Sequence, residues 1–242
     1  MNMYNEENVP VGYRTPEEIA TISRSFMSRV FSWMFLAMTI TAVTSFIWAA
    51  TPSLMGMLIN ENGLSVLGWV VMLAPLGFVL LMSFGFQKLS APLMMLLFVV
   101  YSVLMGMSFS FIFLAYSIGT IGITFGISAG MFGIMAVAGY FTKTDLTKFG
   151  SILMMGVIGL IIAMLANFFL KSNMMGYIIS IIGVLIFTGL TAYDVQKLKR
   201  IGMGMGDEGA NITKMAVMGA LTLYLDFINL FLFMLRLMGG RK

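Results

Sequence analysis

The stretch "LTLYLDFINLFLFML", Leu221 to Leu235, is almost wholly apolar, yet it holds Asp226 near its middle and Asn229 one helical turn further on. Fifteen such residues are too many for an ordinary strand. With their flanks they approach the roughly 20 residues that a helix needs to cross a hydrocarbon core about 30 Å thick. The rest of the chain repeats this texture. Of its 242 residues, 60% are hydrophobic and only 10% are charged, and the mean hydropathy is +0.98. These values lie outside the range of soluble domains. The expected fold class is all-α, a polytopic membrane protein forming one helical domain over residues 1–242.

Hydropathy and turn signals divide the chain into seven expected spans, at about 30–50, 65–86, 91–115, 118–141, 150–170, 175–196 and 215–237. Residues 1–25 form a cytoplasmic arm and the start of helix one. There "TPEE" supplies Thr15 as the N-cap, Pro16 at the first helical position and Glu18 reaching back, a capping box that begins the helix before the bilayer does. The first apolar run is too long and too far in for a cleavable signal. Connections are short except for "TPSLMGMLINENGL" and "KRIGMGMGDEGANITK". The glycine-rich second one reads as a flexible linker, because no strand precedes it as a phosphate-binding loop requires. The sequon at Asn211 falls on the expected inner side.

Basic residues set the orientation. With the N-terminus inside, ten lysines and arginines lie on the cytoplasmic side and four, Lys171, Arg236, Arg241 and Lys242, on the outer side. Topology therefore accounts for the net charge of +4, and nucleic acid is not expected as a partner. The expected surroundings are a bilayer, in particular a bacterial inner membrane, with the chain as a monomer. Cysteine and histidine are both absent, which removes thiol chemistry and the usual side chain for proton transfer near neutral pH. Methionine and glycine, 26 of each, read as packing residues of membrane helices.

Eight of the ten acidic residues fall in the arm or the loops. The two others are Asp194, in "TGLTAYDVQKL", and Asp226. A charged side chain at mid-bilayer costs about 2.5–3.5 kcal/mol on insertion scales, so such groups face a bundle interior or a water-filled cavity. Thr222, Asp226 and Asn229 share one face of helix seven, while Thr188, Thr191 and Asp194 share a face of helix six. Should the two carboxylates meet at about 4 Å, the second negative charge is opposed by roughly 4 kcal/mol at an effective dielectric of 20. The pair then shares a proton and titrates as a unit, a pH switch made without histidine. Loss of that proton is relieved by separating the helices, by water or by a cation. The spans as drawn leave a depth difference of order 10 Å between the two residues at 1.5 Å per residue. Contact requires helix six to run past the interface, or the first turns of helix seven, "KMAVMGAL", to stand outside the hydrocarbon.

The residues "TAYDVQKLK" and "LTLYLDFINLFLFMLR", with "YFTKTDLTKFG" between spans four and five, resemble the transmembrane Bax-inhibitor-motif family across essentially all seven spans. The resemblance implies a bundle with helix seven at its centre, wrapped by two layers of three helices. It also implies a pH-sensitive calcium leak whose sensor is an aspartate pair, mapping here onto Asp194 and Asp226. Around them Tyr193, Thr191, Thr222 and Asn229 form the expected polar support. Span two, "LGWVVMLAPLGFVLLMSFGF", lacks the charged residue with which relatives can latch the aspartates, so Arg29, Lys88 or Lys197 would have to replace it. Calcium is expected as the transported ion, held weakly by the two carboxylates, with no cofactor and no enzymatic activity.

Three other readings compete. An intramembrane aspartyl protease also uses paired aspartates on adjacent helices, but Leu223, Tyr224 and Leu225 stand where such enzymes place glycine. A non-transporting modulator of membrane proteases or of cell-death machinery would have to act through the short loops or the arm. A proton-coupled transporter would be expected to show an inverted repeat or paired broken helices, and neither is evident.

Overall fold

The computed structural model describes residues 15–61, 63–204 and 209–239. The arm at 1–14, including Arg14, the linker core at 205–208, and Arg241 and Lys242 lie outside the described residues. Helices dominate: α1 (Pro16–Ala50), α2 (Pro52–Leu58), α3 (Val66–Gly85), α4 (Ala91–Phe109), α5 (Ile112–Ala115), α6 (Ile118–Phe141), α7 (Thr147–Leu170), α8 (Asn173–Met203) and α9 (Gly209–Met238). Seven segments among the described residues are long and apolar enough to cross a membrane, α4 and α5 together making one of them. Each corresponds to a span expected from the sequence. α1 starts with the anticipated capping box: the Thr15 hydroxyl accepts from the Glu18 amide, and the Glu18 carboxylate accepts from the Thr15 amide.

Two connections carry more structure than their sequences suggest. Between the first two spans lies α2, followed by a two-residue antiparallel ladder of β1 (Ile59–Asn60) and β2 (Gly63–Leu64). The sixth span, expected to end near residue 196, continues as α8 to Met203. Its glycines there serve packing: a Cβ on Gly202 would stand 2.9 Å from the Phe26 ring and 3.2 Å from the Ser23 backbone of α1. The Ser23 hydroxyl donates to the Lys199 carbonyl at 3.1 Å and fixes the same crossing.

In α9, 67% of the apolar window is buried, against 33% or less in every other span. This helix packs chiefly against α1, α4, α6 and α8, while α3 packs on α4 and α7 on α8. Large apolar side chains on the outer helices, such as Phe35, Leu76, Phe84 and Ile134, are exposed, as a lipid-facing surface requires.

A buried polar knot ties three helices at mid-height. The Thr41 hydroxyl of α1 donates to the Ser102 carbonyl of α4 at 3.0 Å and lies 2.8 Å from the Tyr224 hydroxyl of α9, from which it accepts. Thr41→Val removes both partners at once and strands the buried Tyr224 hydroxyl, a loss of about 1–2 kcal/mol. Tyr224→Phe leaves the Thr41 bond to Ser102 intact and costs less. Unfolding equilibria of the two variants in mixed micelles compare them, and equal stabilities would contradict this account of the knot.

Candidate functional site

The end of the bundle where α1 starts is called here the N-terminal face. On that side the helices α8 and α9 run side by side, and because α8 extends to Met203 while α9 begins at Gly209, both have several turns beyond the level at which their aspartates sit. The depth mismatch expected from the sequence is resolved by register: Leu198 of α8 packs closely on Gly219 of α9, which carries the first turns of α9 past the end of α8 and brings Asp194 level with Asp226. The carboxyl groups of Asp194 and Asp226 lie within hydrogen-bonding reach of one another. Both residues are buried, at 8% and 5% exposure, so neither is turned to lipid. Oδ2 of Asp226 is enclosed and receives no donor from the described residues. Two carboxyl groups can hydrogen-bond each other only when one of them carries a proton, because a carboxylate only accepts.

A cavity of about 560 Å³ reaches this pair, lined by residues of α1, α3, α8 and α9 together with Phe86 and Gln87 of the turn after α3. Asp194, Lys197 and Thr222 supply its polar wall near the pair. Asp226 stands behind that wall. Beyond it lies an aromatic barrier in which Phe227 meets Phe125 and Phe132 edge-on, at ring separations of 5.3 and 5.7 Å, and Phe231 meets Phe125 at 6.0 Å. A second cavity of about 290 Å³ opens past these rings, walled almost wholly by apolar side chains from α1, α4, α5, α6 and α9, with Thr41 and Ser45 as its hydroxyls. Along α9, Asp226 therefore falls between Thr222, which lines the first cavity, and Phe227, which lines the second.

The expected supporting residues separate into two groups. Thr222 and Lys197 share the cavity with Asp194, and the Lys197 charge acts on the Asp194 carboxyl through space. Arg29 and Lys88 are exposed and form no ion pair among the described residues, so of the three latch candidates only Lys197 adjoins the pair. Tyr193 turns away: its ring fills the space over Gly150 of α7, with the Lys197 ammonium 5.8 Å from the ring centroid. The Thr191 hydroxyl donates to the Phe187 carbonyl, Thr222 to Met218 and the Asn229 amide to Leu225, each bond returning to its own helix one turn back. These residues satisfy themselves and do not bridge the pair. Among the described residues no third acidic, histidine or cysteine side chain joins the two aspartates to complete a metal cluster.

Sequence reasoning did not anticipate the clamp beside the site. Gln196, two residues after Asp194, accepts from the Leu146 amide at 2.9 Å and donates to the Thr144 carbonyl at 2.8 Å, holding the α6–α7 loop against α8. Lys199 donates to the Tyr140 carbonyl at 2.7 Å, and Arg200 pairs with Asp145 at 2.8 Å. Hydrogen bonds from Thr147, then Arg200, hold the Asp145 carboxyl down from 3.8 to about 2. A depressed acid contributes above its ordinary value and loses its contribution only as pH falls toward the folded one, here between 3.8 and about 2. This exposed pair is thus silent near neutrality. The motif "YDVQKLK" and the loop "KTDLT" held the signal, an amide and a cation at helical spacing opposite a loop rich in acceptors.

Residues 23–242 match the model of the family described as Inhibitor of apoptosis-promoting Bax1. The chain is 42% identical over 220 residues to the inner membrane protein YbhL of Escherichia coli K12, covering 90% of this chain and 93% of that protein. It is also 42% identical over 221 residues to a protein of Borreliella burgdorferi, with 91% and 94% covered. A membrane protein of Streptococcus pyogenes is 34% identical over 216 residues, with 88% and 92% covered.

Proposed function

We propose, since the chain belongs to the Inhibitor of apoptosis-promoting Bax1 family of multi-pass membrane proteins, that it is a passive calcium leak gated by the proton shared between Asp194 and Asp226. The observation that carries this reading is the placement of two mutually facing buried carboxyl groups between a cavity with a polar wall at Asp194 and an aromatic barrier. With one proton between them the pair bridges α8 and α9 and the barrier stays closed. Without it, two anions face each other in a site poor in water, and their repulsion is relieved by parting the helices or by taking in a cation. Calcium prefers hard oxygen ligands, and two carboxylates offer far fewer than the six to eight oxygens of a tight site. The ion is therefore cargo that passes rather than a resident.

The N-terminal face carries most of the chain's basic residues, which favours the cytoplasm on that side and an inner-membrane location like that named for the Escherichia coli relative. Packing around Asp226 favours a leak over peptide hydrolysis: Leu223 and Tyr224 are fully buried, so no extended substrate can lie along α9 next to the carboxyl. The experiment is calcium flux into liposomes containing purified protein and an enclosed indicator, between pH 6 and pH 8. Flux at least about tenfold above protein-free vesicles, rising with pH as the shared proton leaves, is the expected result. Flux absent at every pH, or flat across the range, would remove the proposal.

A further inference from the structure

At the face opposite the start of α1, a cavity of about 850 Å³ opens between α7, α8 and α9. Its polar wall includes Asn167, Lys171, Ser172, Asn173 and Arg236. Lys171 and Arg236 come from different parts of the chain, and neither forms an ion pair or a side-chain hydrogen bond among the described residues. The Arg236 guanidinium rests over the Phe233 ring, 5.9 Å from its centroid, which leaves its edge free for an acceptor. Asn167 spends its carbonyl oxygen on the Ser172 amide at 3.1 Å, and its amide nitrogen, which meets no protein acceptor among the described residues, sits 3.3 Å from where a Cβ on Gly176 would be. Two cations and a free amide donor thus converge on one hollow without an acid to balance them. The space suits an anion with several acceptor oxygens.

The border of the hollow identifies the source of that anion. Phe168 and Tyr177 border it at 74% and 53% exposure on the lipid-facing surface. A tyrosine in such a position marks the headgroup level of a bilayer. We infer that this cavity binds the phosphate of an anionic phospholipid, with Lys171 and Arg236 on its oxygens, the Asn167 amide as a further donor, and the acyl chains descending along Phe168 and Tyr177. Arginine recognises phosphate through paired donors, and basic pockets between membrane helices are suited to such headgroups. The inference does not depend on the calcium leak, since its site lies at the other end of the bundle.

Purified protein in nanodiscs with phosphatidylglycerol, with phosphatidylcholine, or with phosphatidylcholine plus inorganic phosphate separates the possibilities. Mass spectrometry of the intact protein and its thermal unfolding read retention and stabilisation. Wild-type protein is expected to retain phosphatidylglycerol over phosphatidylcholine, and Lys171→Asn with Arg236→Gln to lose about tenfold of that retention. Asparagine tolerates the left-handed backbone at position 171, where φ is 51°, so the variant folds. Lys171→Arg, which keeps the charge, restores retention. Equal retention of both lipids, or undiminished retention by the double variant, would overturn the site. Protection by inorganic phosphate alone, without retained phosphatidylglycerol, would overturn the assignment to lipid.

Discussion

Asp226→Asn is expected to abolish the rise of calcium flux with pH, and Asp194→Asn to lower flux at every pH. The two aspartates face each other but occupy different places. Asp194 lines the cavity and is the first carboxyl an ion meets, whereas Asp226 stands behind it against the aromatic barrier. An asparagine at 226 is a permanent donor to the Asp194 carboxylate, so the bridge between α8 and α9 persists however alkaline the medium. In the wild type, removing the shared proton sets two anions against each other, and two charges separated by about 4 Å are opposed by roughly 4 kcal/mol at an effective dielectric of 20. A driving force of that size can move a closed state from dominant to minor, since about 5.5 kcal/mol takes an equilibrium from 1:99 to 99:1. Asp226→Asn should therefore reduce flux at pH 8 by at least about tenfold while leaving flux at pH 6 nearly unchanged. At position 194 the change also takes away the negative charge that draws a cation past Lys197. Unfolding temperatures within a few degrees of wild type would show that neither effect comes from misfolding. A double asparagine variant that kept the wild-type pH profile would remove the pair from the gate. The Arg200–Asp145 pair cannot substitute for it, because its titration lies between 3.8 and about 2.

The spans were legible because they rest on strong local signals: the capping box at Thr15 and the long apolar runs. The aspartates were legible for a similar reason, since a lone carboxylate in an apolar helix has few ways to be tolerated. The register between α8 and α9 was hidden. It depends on how far α9 runs past the end of α8, and the sequence also leaves open whether "KRIGM" continues the helix, against which glycine's poor helix propensity argues. In the fold, the contacts of Gly202 with Phe26 and Ser23 outweigh that propensity, and the helix continues. The turning of Tyr193 toward α7 was hidden as well, because its reason is the space above Gly150 on another helix. Self-bonding by Thr191, Thr222 and Asn229 illustrates a further limit: helical spacing places residues on one face but does not decide whether their polar atoms look outward or back to the preceding turn.

Gly139→Ala is expected to be the costliest single-methyl change near the site. At this position α6 crosses α8 backbone to side-chain-free backbone. A methyl group on Gly139 would overlap the carbonyl oxygen of Ala192 and stand 2.8 Å from its carbonyl carbon and its Cα. Alanine favours an isolated helix over glycine by about 1 kcal/mol, which pulls the other way. The overlap is larger, because a carbonyl in a helix has no rotamer to retreat into and the two helices must separate along their contact. Overpacking of this kind costs about 1–3 kcal/mol, so a net loss of up to about 2 kcal/mol follows for alanine, with leucine expected to prevent folding. Gly130 on the same helix is the control: it is exposed and has open space where its Cβ would be, so Gly130→Ala should be neutral or slightly stabilising. The two alanine variants, unfolded side by side in the same nanodiscs, isolate the crossing from helix propensity. Ala192 is two residues before Asp194, so a displaced α8 also moves the carboxyl pair, and Gly139→Ala should alter the pH profile of flux as well as stability. Identical melting behaviour of the two variants would mean that α6 and α8 are not held at this close approach, and the fixed placement of Asp194 against Asp226 would lose its support.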